Sequence, residues 1–140
     1  MGYGFLFSGG VYTSLAPPDI PVDIPDPVLP VRVFLTPSTF RATGINNAGV
    51  IVGSALASNA VGAYAGTFYY IYDQGTFQEI NENRVTSVGL RINNVSQIFE
   101  MWSINGGINS YHDGVFTPIN VPGLHSAPNG VGINDEGWIV

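Results

Sequence analysis

Apolar positions along the chain recur in short runs that flank turns rich in Asn, Asp and Gly. One pattern occurs three times, at 42–52, 89–99 and 130–140: an Ile-Asn pair, a short polar turn, and a run containing β-branched residues. Asn and Asp tolerate turn geometry, β-branched residues favour strands, and a glycine such as Gly49 supplies a left-handed residue at the end of the turn. Each copy therefore predicts a β-hairpin.

The turn residues predicted from these copies are Asn46, Asn47, Gly49, Asn93, Asn94, Asn134, Asp135 and Gly137. Ser96 stands in the middle copy where the others have glycine, so we expect that turn to be strained or to change its type. The Ile-Asn pairs begin at Ile45, Ile92 and Ile133, at intervals of 47 and 41 residues. Since a four-stranded propeller blade occupies about 40 to 50 residues, this spacing predicts blade-like units.

A second pattern alternates with the first, at 7–15, 72–80 and 111–119. Each copy has an aromatic residue just before a turn that ends in glycine, and another aromatic residue two positions after that glycine. The later copies end their turns at Gly75 and Gly114. These features predict tight hairpins, in which cross-strand aromatic and β-branched pairs contribute roughly 0.2–1 kcal/mol each. One face of each hairpin can then be buried between stacked sheets.

Together the two patterns predict an all-β fold of four-stranded antiparallel, blade-like repeats, similar to a β-propeller. With strands A and B in the first kind of hairpin and C and D in the second, the order is C-D, A-B-C-D, A-B-C-D, A-B, or three blade equivalents. Propellers have about four to eight blades, so three do not close a ring. We therefore expect a single β-repeat domain over residues 1–140 that is a fragment of a longer propeller or assembles with other copies.

Residues 16–37 interrupt the repeats and contain seven prolines. The interval between hairpin glycines is 65 residues across this segment and 39 residues in the next unit. Proline cannot donate to a strand ladder and favours extended polyproline geometry. The segment is therefore expected to be an insertion that forms a linker or a strap along the surface.

The composition excludes several functions. The net charge is −6, arginine occurs only four times, and the chain has neither lysine nor cysteine. Such an acidic surface repels the phosphate backbone, so nucleic acid is not expected as a partner, because phosphate binding needs a basic face. Lysine is needed for Schiff-base and P-loop chemistry, and cysteine for thiolate nucleophiles and zinc-thiolate sites. No segment reaches the roughly 18 consecutive apolar residues of a membrane-spanning helix.

Residues 44–53, Gly-Ile-Asn-Asn-Ala-Gly-Val-Ile-Val-Gly, resemble the Gly-Ile-Asn-Asp-x-Gly-x-Ile-Val-Gly signature of bacterial extracellular HAF-repeat proteins, and 131–140 echo it. The hairpins at Tyr72 and Tyr111 are similar to the second element of that family. The His-Ala-Phe triplet that names the family is replaced at 3–5, 68–70 and 107–109. The resemblance implies a secreted or surface location, a propeller-like repeat array and no established catalytic residues.

Few residues suggest catalysis or metal binding. His112 and Asp113 could act as a general base or as metal ligands, but Asp113 occupies a turn position and is interpreted as such. The other histidine, His125, stands in a loop without a partner in sequence. The carboxylates considered are Asp19, Asp23 and Asp26 for calcium and Glu79, Glu82 and Glu100 for glycoside hydrolysis. The spacing of the aspartates matches no calcium loop, and the sequence does not place the glutamates relative to one another, so no catalytic residue, metal or cofactor is predicted.

Aromatic residues are the better functional candidates. Tyr69, Tyr70, Trp102 and Tyr111 could bind sugars by stacking, or they could fill the space between blades. The sequence favours a non-catalytic scaffold for binding protein or carbohydrate. Two alternatives stay open: a fragment of a propeller enzyme such as a glycan hydrolase or lyase, and a self-assembling repeat that forms homo-oligomers through exposed edge strands or an incomplete ring.

Overall fold

The structure is a computed structural model that describes residues 4–24, 31–58, 65–80, 87–102, 107–112, 114–120, 122 and 132–139. Eleven strands are present in this part of the chain: β1 (Gly4–Ser8), β2 (Val11–Leu15), β3 (Ile20–Ile24), β4 (Val31–Ile45), β5 (Ile51–Ser58), β6 (Ala65–Asp73), β7 (Thr76–Glu79), β8 (Ser87–Ile92), β9 (Ile98–Trp102), β10 (Ile108–His112) and β11 (Val115–Ile119). Every described strand pairing is antiparallel, which confirms the predicted all-β class. Within the described ranges no helix could span a membrane.

The strands form three sheets, with orders β1-β2, β3-β4-β5-β6-β7 and β8-β9-β10-β11. One sheet is curled into a half-barrel. The pairing of β4 with β5 contains two register shifts, one between Pro37 and Thr39 and one between Ala42 and Gly44. Such bulges bend a strand and increase its twist. Beyond the named strands, Ile133 and Ile139 form an isolated antiparallel bridge.

Two-residue turns close the hairpins β1–β2 and β6–β7. Ser8 pairs with Val11 across Gly9 and Gly10, and Asp73 pairs with Thr76 across Gln74 and Gly75. All four loop residues have positive φ angles, as the tightest hairpin turns require. Aromatic residues beside these two turns meet across the strands, with ring centroids 4.6 Å apart for Phe7 and Tyr12 and 4.8 Å apart for Tyr72 and Phe77. Tyr111 and Phe116 form the equivalent pair between β10 and β11, at 4.9 Å.

The three Ile-Asn hairpins have one hydrogen-bond pattern in common. In the first, the Asn46 amide donates to the Val50 carbonyl and the Gly49 amide donates to the Asn46 carbonyl. The Asn46 side chain adds a third link, because its Oδ1 accepts a bond from the Val50 amide at 3.0 Å. The same bonds recur around Asn93 and Asn134. Asparagine is thus favoured here because its short side chain bonds the backbone that follows it.

The middle turn keeps this geometry despite its serine. Gly49 has φ of 83° and Gly137 has φ of 80°, and Ser96 adopts φ of 61° at the equivalent position. The turn type is therefore unchanged, and the residue rather than the turn adapts. A left-handed conformation costs a non-glycine residue on the order of 1 kcal/mol. The Ser96 hydroxyl also accepts a 3.2 Å hydrogen bond from the Asn46 side chain.

Successive turns lie in register with one another. The Asn47 amide donates to the side-chain oxygen of Asn94 at 2.7 Å, and the Asn94 amide donates to the carboxylate of Asp135 at 2.8 Å. On the adjoining strands, the Thr43 hydroxyl donates to the Leu90 carbonyl at 2.7 Å. These partners are separated by 47 or 41 residues, the intervals of the sequence repeat. Equivalent positions of neighbouring repeats are therefore in direct contact.

We call the hairpin β1–β2, the strands β4–β7, the strands β8–β11 and residues 132–139 the successive units of the chain. Three apolar clusters lie between these units. The first cluster contains buried residues of β2 and of β4 to β6: Leu15, Phe40, Ile51, Ala55, Ala57, Phe68 and Tyr70. The second joins β5 and β6 to β8 and β9 through Val52, Tyr69, Ile80, Leu90, Ile92 and Ile98. The third contains Phe99 and Ile108, against which Ile119, Ile133 and Ile139 pack. Neighbouring residues of one strand thus contribute to different clusters, because strand side chains alternate between the two faces of a sheet.

Part of the proline-rich segment 16–37 is β structure, which the sequence does not predict. β3 pairs with β4, with Pro21 opposite Phe34 and Asp23 opposite Arg32. Proline is compatible with this strand because β3 lies at the edge of its sheet. Pro37 stands at one of the bulges of β4, which is another position that tolerates proline. Residues 25–30 of this segment lie outside the described residues.

Candidate functional site

A groove of about 830 Å³ opens between the five-stranded and the four-stranded sheet. Its apolar lining comes from Val50, Ile71, Ile92, Val95, Ile98, Phe99 and Tyr111. Its polar lining comes from Asp73, Gln78, Ser96, Gln97, Ser110 and His112. The five-stranded and the four-stranded sheet regions contribute residues to each set, so the groove exists only because the units β4–β7 and β8–β11 stack. Its volume falls in the range of about 300–1,000 Å³ that is typical of small-molecule sites.

Tyr111 is the aromatic residue best placed to contact a ligand. It lies on β10 directly opposite Phe116 on β11, and the two rings are tilted by 52°. Both rings are half-buried and pack against the second cluster, which holds the Tyr111 ring at the border of the groove. A ring fixed in this way presents an apolar surface and a polar hydroxyl, the combination that suits amphipathic ligands such as sugars.

The polar side chains of the groove are mostly neutral amides and hydroxyls. Gln78 is exposed on β7, and Ser110 is half-buried on β10. The Gln97 side chain accepts a 2.7 Å hydrogen bond from Asn93, which fixes one end of its amide. Asp73 and His112 are exposed at the ends of β6 and β10. This arrangement offers both donors and acceptors with a single carboxylate among the lining residues, and therefore favours an uncharged polar ligand.

Two of the predicted ligand-binding tyrosines are covered by protein. Tyr69 is 1% exposed and lies in the second cluster, whereas Tyr70 is 2% exposed and lies in the first. Neither ring is accessible to a ligand in this structure. Trp102 ends β9, and its side chain lies outside the described part of the chain. Of the three predicted aromatic residues whose side chains are described, Tyr111 lines the groove.

The Tyr70 hydroxyl is a buried polar group without a hydrogen-bond partner among the described residues. Its ring meets Phe40 and Phe77 edge-on, with centroids 6.5 Å and 5.9 Å away. Burial raises the pKa of Tyr70 well above its ordinary value, and the negative charge of Glu79 raises it further. The phenol therefore stays neutral, and its ring serves the core.

Glu100 is a fully buried carboxylic residue in the second unit. One of its oxygens accepts a 3.1 Å hydrogen bond from the Asn109 side chain. Gly53 occupies the equivalent position of the first unit, where a Cβ atom would collide with the backbone carbonyl of Arg41. Glu100 does not line the groove. The buried side chain of Glu100, which replaces a glycine of the preceding unit, thus packs within the protein and away from the candidate ligand site.

The other acidic and histidine candidates do not come together in the described ranges. No group of three His, Cys, Asp or Glu side chains there could hold a metal ion. Glu79 is exposed on β7, and Asp19 is exposed before β3. Asp26, Glu82, Asp113 and His125 lie outside the described residues, as does the side chain of Asp23. The described geometry therefore assigns no catalytic role to these groups.

The groove residues on the first unit, Gln78 above all, are not identified by the sequence patterns. Gln78 follows an aromatic residue on an exposed strand, and nothing in its local sequence distinguishes it from a surface position. The side chains of Asn94 and Asp135 each bond the turn of the preceding repeat, a role that their own turn sequences do not indicate. Only the intervals of 47 and 41 residues point to such contacts.

No protein-family model matches the chain, and no curated protein or solved structure matches it either. Its function is therefore inferred from the geometry of the groove and from the contacts between repeats.

Proposed function

We propose that this protein is a non-catalytic, propeller-like β-repeat module of the HAF-repeat type that acts outside the bacterial cell as a carbohydrate-binding scaffold. The observation that carries this proposal is the groove between the two stacked sheets, bordered by the ring of Tyr111 and by neutral polar side chains. A protein partner is the second candidate for the same groove, because amide and aromatic side chains also suit peptide ligands.

The propeller-like arrangement is supported by where the sheets touch. The two sheets approach each other most closely along β4, β5 and β8, the first strands of each unit. The groove opens towards the later strands, since its lining includes residues of β6 and β7 and residues of β9 and β10. Sheets that are close at their first strands and diverge at their last strands are arranged like blades around an axis. The in-register contacts between Asn47 and Asn94 and between Asn94 and Asp135 fit the same arrangement.

Carbohydrate is the ligand class that best matches the chemistry of the groove. A sugar ring has an apolar face that stacks on an aromatic ring, and hydroxyls that bond amides and hydroxyls at its edge. Tyr111 supplies the ring, and Gln78 and Ser110 supply polar groups on opposite units. The net charge of −6 disfavours polyanionic ligands. A neutral oligosaccharide is therefore the expected ligand.

The test is a screen of neutral oligosaccharides on a glycan array, followed by calorimetric titration of the best ligand. Tyr111→Leu retains an apolar side chain but removes the stacking ring, and we expect about a tenfold loss of affinity. Tyr72→Leu is the matched control, because Tyr72 is the equivalent residue of the preceding unit and does not line the groove. Its affinity should equal that of the unaltered protein.

The absence of glycan binding, or equal affinity of the Tyr111→Leu and unaltered proteins, would contradict the carbohydrate proposal. Cleavage of a bound glycan during the titration would instead support the alternative that the chain is part of a propeller enzyme. Glycosidic cleavage is measured in the same samples by reducing-end release.

A further inference from the structure

The outer face of the hairpin β1–β2 is an exposed aromatic surface, which we name the hairpin face. It consists of Phe5, Phe7 and Tyr12, which are 64%, 55% and 68% exposed. Phe7 lies opposite Tyr12 across the hairpin, and Phe5 meets Tyr12 edge-on at 5.4 Å. Contiguous exposed aromatic residues of this kind mark interaction surfaces in soluble proteins.

The next unit shows what covers such a face. Tyr70, Tyr72 and Phe77 occupy the equivalent positions on β6 and β7, and they pack in the first cluster. That cluster includes Leu15, which comes from the opposite side of β1–β2, and Leu6 packs against it. The aromatic face of β6–β7 is thus directed towards the hairpin β1–β2, which precedes it. The unit β8–β11 repeats the arrangement, since Tyr111 and Phe116 pack against the cluster that contains Val52 and Tyr69.

Ile45 is also more exposed than Ile92 and Ile133, the equivalent residues of the later repeats. Ile92 is 9% exposed and lies in the second cluster, and Ile133 is half-buried against the third. Ile45 is 55% exposed. Ile45 and the hairpin face therefore both lack the covering that a preceding unit provides elsewhere in the molecule.

The complementary surface lies at the last described repeat. Asn46 and Asn93 are buried beneath the following turn, whereas Asn134 is exposed. The bridge between Ile133 and Ile139 forms an A-B hairpin that has no third strand among the described residues. In β4–β7 and in β8–β11 the equivalent residues do pair with a third strand, because Ile51 pairs with Tyr72 and Ile98 pairs with Tyr111. Phe7 is the residue of β1 that corresponds to Tyr72 and Tyr111.

We propose that the hairpin face binds a second copy of this chain, head to tail. Residues 132–139 of one copy pair with β1 of the other, with Ile139 opposite Phe7. The A-B hairpin of one copy and the C-D hairpin of the other then form one four-stranded sheet. The hairpin face is covered by the apolar cluster around Phe99 and Ile108, which already covers Ile133 and Ile139. The edge of β1, which pairs only with β2 among the described strands, gains a partner.

This contact repeats an interface that the chain already forms twice within itself, which is why a second copy is its expected occupant. It is heterologous, so it generates a closed ring or an open chain of copies according to the rotation between them. The inference goes beyond the proposed carbohydrate function, because the groove and the hairpin face share no residue.

The test uses the absence of cysteine from the chain. One preparation carries Phe7→Cys and another carries Ile139→Cys, and the two are mixed under oxidising conditions. We expect a disulfide-linked dimer of the two variants, because directly opposed residues of antiparallel strands are within reach of a disulfide. Val115→Cys replaces Phe7→Cys in the control mixture, since Val115 is 61% exposed on another hairpin. The control mixture should yield only background linkage.

Light scattering of the unaltered protein gives the second readout. A species heavier than one chain is expected to grow with protein concentration and to be lost in Tyr12→Asp, while Val115→Asp retains it. Circular dichroism checks that both variants keep their β structure. A single-chain mass at all concentrations, or linkage no greater than in the control, would overturn the proposal. Preferential linkage between two Phe7→Cys copies would also overturn it, because it indicates a face-to-face contact.

Discussion

The hairpins β1–β2 and β6–β7 have the same local structure but different surroundings. Both have a two-residue turn with positive φ angles, and both place two aromatic rings opposite each other at 4.6 Å and 4.8 Å. Tyr12 of the first hairpin is 68% exposed, whereas Phe77 of the second packs against the first cluster. The local sequence thus specifies the hairpin, and the packing around it, from its own sheet and from the neighbouring unit, determines how much its rings contribute to stability.

Removing the equivalent ring from each hairpin should separate these two contributions most clearly. We expect Phe77→Ala to lower the free energy of unfolding by about 2–3 kcal/mol, less than for a fully buried phenylalanine because Phe77 is only partly buried. Tyr12→Ala should lower it by less than about 1 kcal/mol, since little beyond the cross-strand ring contacts is lost. Urea unfolding of both variants measures the difference. Equal losses would contradict the claim that packing outside the hairpin supplies most of the stabilisation.

Substitution of the turn glycines, unlike removal of the rings, should lower the stability of the two hairpins equally. Gly10 and Gly75 have φ of 83° and 89°, and a Cβ atom at either position would meet no atom within 4 Å. The cost of Gly10→Ala and of Gly75→Ala is therefore backbone strain alone, about 1–2 kcal/mol in each case. Urea unfolding should give similar values for the two variants. A much larger loss for Gly75→Ala would show that turn geometry also depends on the neighbouring repeat.

The hydroxyl of Tyr70 provides a smaller contrast. Tyr70→Phe removes a buried polar group that has no partner among the described residues, and should raise the free energy of unfolding by about 1 kcal/mol. The equivalent residue of the first hairpin is Phe5, which is exposed, and Phe5→Tyr should change stability by less than about 0.5 kcal/mol. Thermal unfolding near neutral pH compares the two variants. Destabilisation by Tyr70→Phe would mean that the hydroxyl does have a partner.

Alkaline pH should distinguish Tyr70 further. Because burial raises the pKa of Tyr70 in the folded state, the unfolded chain releases this proton first as the pH rises above the ordinary tyrosine value of about 10. The stability associated with the neutral phenol is complete below that pH and decreases above it. Tyr70→Phe should lack this part of the alkaline loss, as unfolding curves between neutral and alkaline pH would show.

The smallest expected effect concerns the contact between turns. Hydrogen bonds from the side chain and amide of Asn94 lower the pKa of Asp135. Stability linked to the Asp135 carboxylate is therefore present above the ordinary aspartate value and decreases as the pH falls through the lowered pKa. Titration of the Asp135 carboxyl carbon by NMR should give a lower midpoint in the unaltered protein than in Asn94→Ala. Identical midpoints would argue against the side-chain contact between these repeats.

The sequence predicts the local structure well where single residues control the backbone. Gly75 and the asparagines at 46, 93 and 134 mark turns because their conformational freedom or their side-chain bonds favour turn geometry. The aromatic spacing likewise indicates the opposed pairs, of which Tyr72 and Phe77 are one. These are short-range properties, so a single chain segment suffices to specify them.

Properties that depend on two repeats are not specified in this way. Adjacent tyrosines at 69 and 70 face different clusters, and only strand alternation together with the stacking order shows which cluster each enters. The strand β3 arises from an edge position that tolerates Pro21, although the proline content of residues 16–37 favours a linker. The groove combines Gln78 and Tyr111 from different units, and no local pattern places them side by side.

In-register stacking of successive repeats is tested most directly by nuclear Overhauser contacts in isotopically labelled protein. We expect cross-peaks between the Asn47 amide proton and the side chain of Asn94, and between the Asn94 amide proton and the side chain of Asp135, residues 47 and 41 positions apart. Cross-peaks within each turn but none between the turns would contradict the stacked arrangement.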